Sequence, residues 1–190
     1  MFPDESYVIL HPDRATIDVV EVAEQNSWRH AQTFQPAEKR LYEEIYEVPG
    51  DNTVVRVIDD HFVQVVFVVS RGQSREKAAA LVLSSVESLD EATLWRWLGS
   101  DKPRERAYAI RALAAISPNE ADSRWLEAFK RAACDKTPEA RRGLIVALGR
   151  AAWPELWPIV DELDRSETDG ELREEVRVLR ESYGRHIPRT

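Results

Sequence analysis

The sequence predicts an α+β fold in two parts. Residues 1–89 form an acidic α+β domain built on an antiparallel β-meander, and residues 90–190 form a helical domain of about three helix pairs. Three observations carry this reading. β-branched and aromatic residues alternate with period two over 41–69; from Asp90 the apolar period changes to 3.6; and the stretch from Asp101 to Leu113 returns about 35 residues later.

In order along the chain, Tyr7–Leu10 reads as a strand ended by His11-Pro12-Asp13. Thr16–Val22, rich in β-branched residues, reads as another. Glu24–Lys39 reads as a short helix or an irregular link, because Pro36 interrupts any single helix. Leu41–Val48 is the next strand, and Pro49-Gly-Asp-Asn52 is a turn, since Gly and Asn accept positive φ. Thr53–Ile58 returns, Asp59-Asp60 makes a second tight connection, and His61–Val69 is the most apolar strand, expected at the centre of the sheet. Ser74 is a candidate N-cap for a helix whose Ala78, Leu81, Val82 and Val86 share one face and would cover the sheet.

Helices are expected near 90–98, 102–116, 121–133, 137–151, 153–164 and 169–183. Pro103 and Pro138 suit the first turns of the second and fourth, and Pro158 falls in or near the first turn of a helix starting at Pro154.

The echo is specific. Arg106, Ile110, Ala112 and Leu113 recur as Arg141, Ile145, Ala147 and Leu148, and a fainter copy runs from Asp169 through Arg173, Val176 and Leu179. In an Asp, Pro, Arg, then Ala/Leu/Ile helix pattern these residues resemble HEAT-type repeat proteins and their shorter PBS-lyase-like relatives. The best copy is Asp135, Pro138, Arg141, Leu144, Ala147, Leu148 and Gly149; Ala114 replaces the Gly in the first copy, and Arg180 and Glu181 replace Leu-Gly in the third. The resemblance covers about 90–183 and implies an α-solenoid whose polar last copy caps the stack. It also implies roles. Asp101, Arg106, Asp135 and Arg141 are structural, the Asp at a helix N-terminus and the Arg reaching the turn of its own or an adjacent repeat. Residues 1–89 carry no such resemblance.

Composition narrows the function. Residues 1–90 hold 16 Asp+Glu against 8 Lys+Arg, while residues 91–190 hold 18 of each, so the net charge of −8 belongs to the N-terminal half. That half lacks the basic face that phosphate binding needs, so nucleic acid is disfavoured as a partner. The single cysteine, Cys134, excludes an intramolecular disulfide and reads as a small buried hydrophobe. No apolar segment approaches the ~20 residues of a membrane span, and the N-terminus lacks a signal-peptide pattern. The expected setting is cytoplasmic, without membrane attachment.

The candidate binding residues are arginines beyond the repeat pattern, and one tryptophan. Arg111, Arg142, Arg150 and Arg177, with Arg104 and Arg180, form either a stripe for an acidic partner or a solvated face neutralised by Glu105, Glu139, Glu174 and Glu175. Trp95 and Trp97 stand two apart on a helix and cannot share a face, so one should be exposed or meet the N-terminal domain; Trp97 and Trp125 read as packing residues. Asp59-Asp60-His61 reads as a turn, not a metal site, and His11, His30 and His186 are isolated. No phosphate loop, Cys/His metal spacing or catalytic motif is found, so no catalytic residue, metal or cofactor is assigned.

The function these readings support is a non-enzymatic protein-binding adaptor or scaffold of unknown oligomeric state. Two other classes stay open. One is an enzyme: the resemblance reaches PBS-lyase-type proteins, which attach or detach bilins, and HEAT-like DNA glycosylases, which use Trp, Asp and Arg around a flipped base. The other is an acidic inhibitor or immunity protein presenting Glu43, Glu44, Glu47, Asp51, Asp59 and Asp60.

Overall fold

The computed structural model describes residues 4–35 and 41–188, and the chain is α+β. It divides into two compact units, Met1–Glu91 and Ala92–Thr190. Pro36 and Lys39, on which part of the sequence reading rests, lie outside the described residues.

The first unit holds a six-stranded antiparallel sheet in the order β2-β3-β4-β5-β1-β6. Its strands are β1 (Glu5–Leu10), β2 (Arg29–Phe34), β3 (Leu41–Glu47), β4 (Val54–Asp60), β5 (Val65–Arg71) and β6 (Ser88–Leu89). β3, β4 and β5 are the predicted meander, with β5 in the sheet interior. The β3–β4 turn has Gly50 at φ 92°, and Asp51 accepts the Thr53 amide at 2.7 Å. The β4–β5 turn falls later than the sequence reading placed it. β4 continues through Asp60, and His61–Gln64 make the turn. Asp60 is buried there, its carboxylate accepting the amides of Phe62 and Val63 at 3.0 and 3.3 Å. The Asp is therefore the turn's fastener and the histidine its first residue.

Thr16–Val22 is not a strand but the body of helix α1 (Thr16–Gln25). Val19, Val22 and Ala23 are buried at i, i+3 and i+4, so the tertiary contacts of that face outweigh the β-propensity of five β-branched residues in seven. The Asp18 carboxylate accepts the Ala15 amide at 2.8 Å and starts the helix. β2, in the stretch read as a helix or link, is a strand with every residue exposed, paired only to β3. Helix α2 (Arg75–Ser85) covers the sheet with Ala78, Ala79 and Val82; of the other residues expected on that face, Leu81 is partly buried and Val86 is buried just past the helix end. Ser74 stands at its N-cap without a side-chain capping bond; its own amide donates to Thr53 Oγ1 at 2.8 Å. The core between the two helices and this face of the sheet is Val8, Leu10, Trp28, Tyr46, Val55, Val57 and Val68.

The second unit contains α3 (Glu91–Trp97), α4 (Pro103–Ala115), α5 (Ser123–Ala133), α6 (Pro138–Ala151), α7 (Trp157–Ser166) and α8 (Gly170–His186), with a 3-10 turn at Pro154–Leu156 before α7. Pro103 and Pro138 are the first residues of their helices, where a missing N–H is harmless. α4 packs on α6 and α6 on α8; α5 contacts α4, α6 and α7, and α7 lies on α8. The α4–α6 contact is close because position 143 is glycine. A Cβ there would stand 2.8 Å from the Ala107 carbonyl oxygen and 2.9 Å from its Cα. Among the described residues no helix is long and apolar enough to cross a membrane.

Candidate functional site

The echoed residues build a ladder inside the helical unit. Arg106 of α4 donates Nε and Nη2 to the two carboxylate oxygens of Asp135 at 2.7 and 3.0 Å, and Nη1 to the Ser100 carbonyl at 2.7 Å. Arg141 of α6 repeats this geometry one step on. It donates Nε and Nη2 to Glu167 at 2.7 and 2.8 Å, and Nη1 to the Asp135 carbonyl at 2.9 Å. Each arginine thus ties the turn before its own helix to the turn of the next repeat. Burial pushes the Asp135 carboxyl up, but the bonds from Arg106 and Thr137 outweigh it and hold the group at about 2. Glu167 is also held at about 2, chiefly by Arg141 and further by the amides of Asp169 and Thr168.

Two details of the repeat pattern change. The first-turn counterpart of Asp135 is Ser100, six residues before its arginine as Asp135 is before Arg141; Asp101 is exposed. Ser100 Oγ accepts the Lys102 amide at 3.2 Å, as Asp135 accepts that of Thr137 at 2.9 Å. In the third turn the acceptor is Glu167, while Asp169 caps α8 through the amides of Glu171 and Leu172 at 3.0 and 3.1 Å. Arg173, the third echoed arginine, is exposed, with no ion pair to a described residue.

The surplus arginines are engaged. Arg142 donates to Glu175 and Glu171 of α8, both at 2.9 Å. Arg177 is paired with Glu174 and Glu181 of its own helix, and Arg180 with Asp161 and Asp164 at 3.2 and 3.3 Å. Arg111 is half-buried, donates to the Ala107 carbonyl at 3.2 Å and lies 6.0 Å from the Tyr108 ring centroid, so it is no part of an open face. Arg150 is exposed in the last turn of α6.

Neither Trp95 nor Trp97 is fully exposed. Trp97 meets Tyr108 edge-on at 6.3 Å between centroids, and Trp95 meets the buried Trp125 at 5.1 Å and 86°. The indole of Trp125 donates to the Leu113 carbonyl at 3.0 Å, and Tyr183 donates to Leu148 at 2.8 Å. Those two carbonyls are 35 residues apart, in the last turns of α4 and α6, and that of Leu148 also accepts the Ala152 amide at 3.0 Å.

Beside Trp95 lies a groove of about 570 Å³ within the helical unit. Trp95 and Leu98 form one end. α5 supplies the exposed Arg124, Glu127 and Arg131, the half-buried Ala132 and the buried Ala128, at i, i+3, i+7, i+8 and i+4, and the α5–α6 turn supplies Cys134, Asp135 and Lys136. The guanidinium of Arg124 lies 3.8 Å from the Trp95 ring centroid, a cation–π contact. Arg106 and Asp135, also in the wall, cancel each other. Arg131 and Lys136 are exposed and make no ion pair with any described residue. Cys134 is exposed, not buried: it is the C-cap of α5, one residue past the face that packs Trp125 and Phe129 inward. Of the groove residues only Trp95 was expected to bind a partner; Arg106 and Asp135 were expected to be structural and Cys134 buried, although the spacing of Arg124, Glu127 and Arg131 beside the buried Trp125 and Phe129 was a visible signal.

In the sheet unit, the six carboxylates considered as an acidic surface are divided and engaged. Glu43 and Asp60 are buried. Glu44 accepts the hydroxyls of Tyr42 and Tyr46, and Glu47 pairs with Arg29. Asp59 lies 3.1 Å from His61. The bond to Glu44 is the main cause that pushes the Tyr42 phenol up to about 12. Among the described residues no group of three or more His, Cys, Asp or Glu could hold a metal ion. No protein family, no curated protein and no solved structure matches the chain.

Proposed function

We propose that this chain is a non-enzymatic protein-binding module, that its helical unit is a short HEAT-type stack, and that the groove beside Trp95 is its docking site. The observation that carries the reading is the contrast between the two arginine sets. Arg142 and Arg177 are each neutralised by two carboxylates, whereas Arg131 and Lys136 line a concave, half-apolar groove without such partners. A half-apolar concavity with a few charged groups at its rim suits a binding segment. The repeat reading is supported by the Arg106 and Arg141 rungs, which have the same donors and the same carbonyl offset. The expected compartment of action remains the cytoplasm.

Quantitative affinity capture with the full chain tests this. Proteins enriched by the wild type should be lost with Arg131→Glu/Lys136→Glu and retained with Arg142→Glu/Arg177→Glu. Loss with the second pair alone would move the site to the α6–α8 face. No protein enriched above a bead control would defeat the adaptor reading.

A further inference from the structure

Resting on the protein-binding reading, we infer that the groove takes an acidic peptide segment carrying one large apolar side chain. Charge complementarity is the first argument. With Arg106 and Asp135 paired to each other, the lining keeps the exposed Arg131 and Lys136, neither in an ion pair with a described residue, against Glu127. The groove is therefore locally cationic on a chain whose net charge is −8. Arg131 and Lys136 stand at the rim, exposed, where carboxylates of a bound segment can reach them without burying an ion.

The floor is the second argument. It is made of Ala128, Ala132 and Ala140 with Leu98 at one side. Three side chains no larger than a methyl, two on α5 and one on α6, leave space that a Leu, Phe or Met of the partner would fill, and burying such a side chain is the ordinary source of anchoring in peptide grooves. The third argument separates a peptide from single-stranded nucleic acid. A base would need an open aromatic face to stack on. Trp125 is buried, and one face of Trp95 is covered by the Arg124 guanidinium at 3.8 Å.

The test is a random-peptide phage library selected against the full chain, followed by fluorescence polarisation with the most enriched peptides, fluorescein-labelled. Enriched sequences should be rich in Asp and Glu around one large apolar residue. Their affinity should fall about tenfold or more with Arg131→Glu/Lys136→Glu, and also on raising NaCl from about 50 to about 300 mM. It should be unchanged in Arg142→Glu. Arg131→Ala/Lys136→Ala, checked by circular dichroism, should weaken binding in the same direction and guards against misfolding of the charge-reversed chain. Enriched peptides that are neutral or basic, binding indifferent to both double variants, or no enriched peptide at all would overturn the inference. In those cases protein capture through another surface would leave the adaptor reading standing. Tight binding of a labelled single-stranded oligonucleotide, with neither peptide nor protein captured, would remove both.

Discussion

Gly143→Ala sets two effects of opposite sign against each other. In an exposed helix interior, alanine for glycine stabilises by about 1 kcal/mol, through lower backbone entropy in the unfolded chain. At position 143 the new Cβ would lie 2.8 Å from the oxygen and 2.9 Å from the Cα of Ala107, and 3.1 Å from its Cβ, where ordinary contact begins at 3.4 Å. Two of those three atoms are backbone, so no rotamer change relieves the clash. α4 and α6 must move apart by roughly half an ångström, loosening the packing of their buried Ala109, Leu113, Leu144 and Leu148. Overpacking of this kind costs about 1–3 kcal/mol, which cancels or outweighs the propensity gain and leaves a net loss of up to about 2 kcal/mol. Urea unfolding followed by tryptophan emission is the assay, because Trp95, Trp97, Trp125, Trp153 and Trp157 all lie in the helical unit. The midpoint should fall with an unchanged slope. Gly184→Ala is the internal control: its Cβ meets nothing within 4 Å, so the midpoint should rise by the equivalent of a few tenths to about 1 kcal/mol. A Gly143→Ala chain stabilised like Gly184→Ala would refute the close approach of the two helices.

Three further outcomes are expected. Glu167→Ala leaves the Arg141 guanidinium without its carboxylate in a site where the Glu167 side chain is 1% exposed, and should destabilise by about 3 kcal/mol or more in the same titration, while Arg142→Ala, an exposed pair, should stay within about 0.5 kcal/mol. Asp135 and Glu167 are both held at about 2 against 3.8 and 4.5, so their contribution is fully present above about pH 5 and is lost as pH falls towards 2; for Glu167 it is on the order of 3 kcal/mol, and an acid titration of the Glu167→Gln variant should lack that part of the slope. Ala152 ends α6 at φ 51°, ψ 35°, a left-handed conformation that a Cβ disfavours, so Ala152→Gly should raise the melting temperature by the equivalent of up to about 1 kcal/mol; a lower one would mean that the helix end is held by side-chain contacts instead.

The α+β class, the meander and the helix positions were legible because their apolar residues repeat at two or 3.6 and the helix starts carry proline. α1 was misread from composition, although Val19, Val22 and Ala23 already stood at helical spacing. β2 could not be read at all: Arg29–Phe34 buries nothing, and only its pairing with β3 makes it a strand. Matching Asp to Asp in the echo pointed to Asp101, where the constant quantity is the offset from arginine to the carbonyl it binds, which selects Ser100. Glu167 escaped because its role is set by the arginine 26 residues earlier, and nothing in its own neighbourhood marks it. Most of the groove was missed for a related reason. Arg124, Arg131 and Lys136 come from one helix and the turn after it, and no repeat pattern singles them out.

Asp135 serves two rungs at once. Its carboxylate receives Arg106, while its backbone carbonyl receives Arg141, whose fork then closes on Glu167. The turn at 135 is therefore a shared node, and opening either α4 or α6 away from it breaks a bond to the same residue. Helices joined through such a node melt as one unit when the coupling exceeds the differences in their own stability, and fray from an end when it does not. The turn that joins these two rungs also forms part of the groove wall.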